Sequence, residues 1–152
     1  MAKPVAPDFE KLARETVTSR LKGMPADTAA EAAAAVAGKI VIAAASGKER
    51  PQDPHLMVAG VCRGVMSGML LIEKDLVQTA VELVKSMAHL GAETHLDPTE
   101  LMTWAMEAVA EVCALGHPDL GASVREALEH NFIGTGEVFG GLLLKAAKDR
   151  QP

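Results

Sequence analysis

Residues 53–75 read DPHLMVAGVCRGVMSGMLLIEKD, and three more aspartates, Asp75, Asp97 and Asp119, follow Asp53 at intervals of 22 residues. Each opens a run with helical periodicity. Aspartate is a strong N-cap because its carboxylate accepts from the orphan N–H groups of the first turn and its charge suits the helix dipole there. The neighbours agree. Pro54 and Pro98 stand at the first helical position, where a missing N–H costs nothing. Gln78 and Glu100 lie three residues past Asp75 and Asp97, the spacing of a capping box. Upstream, Asp8 and Asp27 open two earlier segments, and Thr28 with Glu31 offers a box one residue along from Asp27.

The stops fit these starts. Gly23, Gly47, Gly91 and Gly116 each follow a periodic run, as C-terminal glycines do. A last start falls at Thr135, after the Asn131–Gly134 break, and Lys145, Lys148 and Arg150 complement the dipole at the far end. The spacing predicts helices over 8–22, 28–46, 54–73, 76–90, 98–115, 120–131 and 136–148. Between 73 and 76 no glycine or proline forbids one continuous helix. Alanine, leucine, methionine and glutamate dominate, and β-branched residues never gather into alternating runs. The expected fold is all-α: a single-domain bundle of six or seven helices over 8–150, with a flexible tail at 1–7.

Stacking the four windows aligns apolar residues at the sixth place (Val58, Ala80, Met102, Val124) and the tenth (Cys62, Val84, Met106, Leu128). Proline and leucine alternate after the aspartate. One reading is a 44-residue helical hairpin present twice, near the length of HEAT-type repeats. The other is that helices of similar length with similar caps produce this spacing unaided.

One face is unusual. Gly60, Gly64 and Gly68 form a stripe on what should be the outer side of the third helix, at roughly 1 kcal/mol each against alanine. Close helix–helix approach is the usual recompense. The expected partner is the alanine-rich segment 29–46, leaving Glu31, Ala35 and Lys39 to solvent; the rival partner is the same stripe on a second copy, giving a homodimer. Trp104, the single tryptophan, falls on a polar face, so either the N-terminal helices cover it or it anchors a contact.

Reactive constellations are absent from the sequence. The histidines make no Glu-x-x-His pair, and Cys62 and Cys113 lack C-x-x-C spacing, so no metal or cofactor is expected. Both cysteines sit inside predicted helices as small hydrophobes, without a thiolate-favouring neighbour. No nucleophile elbow, phosphate loop or dinucleotide fingerprint occurs. Gly134-Thr135-Gly136 before a helix could cradle an anion, but reads as a tight connection capped by Thr135. Met57, Met66, Met69, Met87, Met102 and Met106 read as core filling where aromatics are scarce.

Residues 123–143 resemble half of the repeat in N-terminal domains of Clp-type chaperones, through Arg125-Glu126-Ala127-Leu128 and His130-Asn131-Phe132-Ile133-Gly134-Thr135. Two residues are missing before His130, Gly136 is additional and no upstream copy exists. The resemblance therefore implies a shared helix–turn–helix solution and a cap at Thr135.

A net charge of −5 without a basic run argues against duplex nucleic acid. The apolar stretch 56–72 is short for a membrane span and carries Arg63; no signal peptide is read, and two isolated cysteines suit a reducing compartment. The expectation is a soluble, cytoplasmic, non-catalytic interaction module acting through protein contacts or self-association, with Trp104, Gly60, Gly64 and Gly68 as interaction residues. A binder of an apolar ligand or lipid surface through the Gly/Ala/Met-rich helices ranks second, and an enzyme of unrecognised type third.

Overall fold

The computed structural model describes residues 8–47 and 53–149, and these form eight helices and no strand. They are α1 (Phe9–Arg20), α2 (Ala26–Ser46), α3 (Pro54–Leu71), α4 (Leu76–Ala88), α5 (Gly91–Thr94), α6 (Pro98–Cys113), α7 (Pro118–Asn131) and α8 (Thr135–Asp149). The tail expected at 1–7 lies outside the described residues. Asp8, Asp53, Asp75 and Asp97 cap α1, α3, α4 and α6, each accepting from a first-turn N–H. Gln78 does not close its box, because its side chain turns to Glu82.

Three local expectations are corrected. The helices number eight among the described residues, not six or seven, because Gly91 begins the one-turn α5 instead of ending a helix. α2 starts before Asp27, at Ala26: Pro25, with φ already at −58°, holds the N-cap place, and Thr28 Oγ1 donates to its carbonyl. α7 starts before Asp119, with His117 as cap; its Nδ1 accepts from the Asp119 N–H, 3.1 Å away. The open question at 73–76 resolves as a break. Glu73 adopts a left-handed φ of 57°, at a cost of roughly 1 kcal/mol or more. The backbone N–H of Lys74 donates back to Met69 O, and Lys74 Nζ reaches Met24 O at 2.6 Å, which ties the turn to the α1–α2 connection.

α3 is the centre of the molecule, with 11 of its 18 residues buried. α1 lies along one side of it and α6 along another, with α2 beside them; α4 packs on α2, α6 and α7, and α8 closes onto α6 and α7. Within each half of the proposed duplication, α3 packs less on α4, and α6 less on α7, than α6 packs on α3 and α4. One connected core draws on all seven long helices, with Met57, Met66, Met69, Met87 and Met106 inside it and Met102 at its edge.

The glycine stripe is closed from within the chain, and by α1 instead of α2. A Cβ at Gly64 would collide with the Glu10 carbonyl oxygen and stand 2.9 Å from Ala13 Cβ; one at Gly68 would stand 3.1 Å from Arg14 O. The backbone of α1 and its short side chains Ala13 and Val17 here meet the α3 backbone, so dispersion contacts recover what the glycines forgo in helix propensity. The small face of α2 is used elsewhere, mainly on α4, where Gly38 faces Ser86. Glu31, Ala35 and Lys39 do remain exposed. By length and hydropathy both α2 and α3 could cross a membrane, at mean hydropathies of 1.5 and 1.3. α3 reaches that value because it is enclosed by other helices on most of its surface.

Candidate functional site

The α7–α8 hairpin is built around one carboxylate. Glu129 accepts from the backbone N–H groups of Gly134 and Gly136, each at 3.0 Å, at the start of α8. The Gly134-Thr135-Gly136 cradle thus holds an anion, supplied by the chain itself. The cap expected at Thr135 is corrected accordingly: Thr135 is the first helical residue, its hydroxyl donates to Phe132 O, and the anionic acceptor comes from α7. Gly134 takes φ 95°, which lets the chain reverse tightly enough for Glu129 to reach. Hydrogen bonds from Gly134 and then Gly136 hold the Glu129 carboxyl below its ordinary value, with Arg125 adding to the effect.

Beyond this turn, α7, α8 and the end of α6 enclose an open groove of about 1190 Å³. Its walls are apolar at Ala114, Ala122, Leu143, Leu144 and Ala147, and its charged groups are Arg125, Glu126, Glu129 and Glu137, with His130 beside them. Leu144 is 75 % exposed and Leu115, on the adjoining α6–α7 connection, 55 %. The small residues of α8 shape the floor. A Cβ at Gly140 would stand 3.0 Å from the Arg125 guanidinium, so that side chain lies across the helix at this point. Gly121 of α7 is matched in the same way by Leu143. Cys113 forms part of the wall as a thiol, since burial pushes it up to about 11. Cys62, wholly buried in α3, is pushed up to about 12 by burial despite the neighbouring Arg63 charge. Neither cysteine has the thiolate character of a nucleophile.

A smaller crevice of about 260 Å³ lies between α3, α6 and α8. Here the polar residues of the core helices find each other. Arg63 Nε donates to Glu10 Oε1 at 2.6 Å and Nη1 to Glu111 Oε2 at 3.0 Å, which joins α1, α3 and α6. Burial opposes the Arg63 charge, but the two carboxylates outweigh it and the guanidinium is held above its ordinary value. His55 Nε2 pairs with Glu107, and the His55 ring stacks on Trp104 with centroids 5.1 Å apart and planes 12° from parallel. No group of three metal-ligating side chains occurs among the described residues.

The residues singled out from the sequence are not brought together. Gly60, Gly64 and Gly68 are buried along α3, and Trp104 is half-buried on α6, stacked on His55 of α3. None of the four lines the large groove. Sequence reasoning missed Arg125, Glu129 and Gly141. The available signal was the spacing of Gly136 and Gly140, four apart as in α3, followed by a second glycine at 141. No family model, curated protein or solved structure matches the chain.

Proposed function

We propose that this chain is a small, non-catalytic helical interaction module that binds another protein through the α6–α7–α8 groove. The observation that carries the reading is the groove itself: an open, leucine- and alanine-walled channel on a bundle whose other small-residue face is already closed. An exposed leucine, Leu144, set among alanines in a concavity marks an interaction surface more than a solvated one. The polar crevice at His55 and Arg63 serves cohesion in this reading, because Arg63 pairs with Glu10 and Glu111, and His55 with Glu107, across three helices. A cytoplasmic setting accords with two unpaired cysteines. An apolar small molecule in the same groove is the second reading, favoured by Leu143 and Leu144 in its walls.

A photo-crosslinking amino acid at position 144 of the full chain, with position 39 on the exposed stripe of α2 as control, tests this. A discrete protein adduct at 144 alone is the expected result. An adduct of only a few hundred daltons transfers the groove to the apolar-ligand reading. No adduct at 144, or equal adducts at both positions, overturns the proposal.

A further inference from the structure

Gly141 is the helical glycine that the fold leaves unexplained. Gly64, Gly68, Gly121, Gly136 and Gly140 each face an atom that would stand no more than 3.1 Å from an added Cβ, Gly38 faces Ser86 in ordinary contact, and Gly60 lies beside the α1 backbone. At Gly141, mid-helix and exposed, nothing lies within 4 Å. Glycine at such a position costs roughly 1 kcal/mol of helix stability against alanine. It sits in the floor of the groove, beside Leu144.

The charge of the groove narrows what could cover it. Glu126, Glu129 and Glu137 stand against the single guanidinium of Arg125, and neither Glu126 nor Glu137 makes an ion pair among the described residues. Two copies meeting groove to groove would oppose these carboxylates to one another, and an anionic membrane would meet the same repulsion. The volume exceeds the roughly 300–1,000 Å³ usual for small-molecule pockets and suits a few turns of helix, about 10–12 Å across.

We infer that the groove receives a basic amphipathic helix of a partner protein, packed closely against Gly141. This deepens the interaction-module reading and rests on it. Apolar residues at i, i+3, i+4 and i+7 of that helix meet Ala122 and Leu144, a small residue lies over Gly141, and flanking lysines or arginines face Glu126 and Glu137.

The test titrates the ¹⁵N-labelled full chain with a synthetic Leu/Ala/Lys amphipathic helix of roughly 14 residues, about 20 Å long, and with a matched helix carrying Glu in place of Lys. Amide shifts confined to α7, α8 and the end of α6 are expected, with the Lys helix bound at least about tenfold more tightly, a difference of about 1.4 kcal/mol. Gly141→Leu should weaken binding about tenfold, and circular dichroism melts should show it folded, since the position is exposed and nothing lies within 4 Å of an added Cβ. Glu126→Lys with Glu137→Lys should abolish the preference for Lys over Glu. Equal binding of the two helices, binding of neither, shifts outside the groove, or unaffected binding by Gly141→Leu overturns the inference. So does a dimer in light scattering whose interface is this groove, or binding to phosphatidylglycerol vesicles in place of the peptide. A protein adduct at position 144 combined with no Lys-helix binding removes the basic-helix partner but leaves the interaction module standing.

Discussion

α3 and α8 both carry glycines at helical spacing, and the molecule closes them in different ways. Along α3 the cover is the main chain of α1 with its short side chains Ala13 and Val17, set against Gly64 and Gly68 so closely that no further side chain fits between. Along α8 the cover is side chain: Glu129 and Arg125 reach over from α7 to Gly136 and Gly140, and Gly141 is left open. The first arrangement fixes two helices into the core with no adjustable part. The second leaves a concavity whose walls are the flexible ends of charged residues and the faces of leucines. A glycine stripe therefore marks close approach, but whether it builds a core or a receptor surface depends on what does the approaching.

The largest effect belongs to Gly64→Leu, which should destabilise by at least about 3 kcal/mol, the top of the usual range for overpacking, or prevent folding. Chemical denaturation of the variant measures it; a stability near that of the parent would mean that α1 does not lie on the stripe. Asp53→Ala removes the local cap of α3, whose Oδ1 accepts from the Leu56 N–H, and should cost roughly 0.5–2 kcal/mol. An unchanged urea midpoint would show that the helix start is held by packing alone.

On the α8 side the effects are smaller and one reverses sign. Gly141→Ala should raise stability by about 1 kcal/mol, because it gains helix propensity and meets nothing. Gly140→Ala should gain less, since Arg125 must first move aside, and thermal melts of the two variants side by side separate them. Glu129→Gln gives the smallest effect, visible in its pH dependence. The Glu129 carboxyl is lowered in the folded chain, so its contribution is complete above the unfolded value of about 4.3 and fades as pH falls through the lowered folded value. The gap between parent and variant should therefore be present at neutral pH and vanish in acid; a gap that widens on acidification would contradict the capping role of Glu129.

Much of the helical architecture is legible in the chain alone. The starts at Asp8, Asp53, Asp75 and Asp97 and the buried methionines follow from hydrogen bonds within one turn and from apolar periodicity. Both are local: a cap needs an acceptor two or three residues from its donor, and a stripe repeats every few residues. The misjudged starts of α2 and α7 are also local, but there two cap residues compete: Pro25 displaces Asp27, and His117 displaces Asp119.

Tertiary structure alone decided the rest. That α1 and not α2 lies on the glycines, that Glu73 bends left-handed while Lys74 reaches Met24, and that His55 covers Trp104 are all choices between distant segments. Any of several alanine-bearing helices satisfies a glycine stripe equally by composition. The actual partner is selected by where the connections allow each helix to lie and by which faces are already buried. The groove belongs to this second kind. Its lining comes from α7, α8 and the end of α6, and it exists only because the fold sets these three segments side by side, with Glu129 tying the α7–α8 turn.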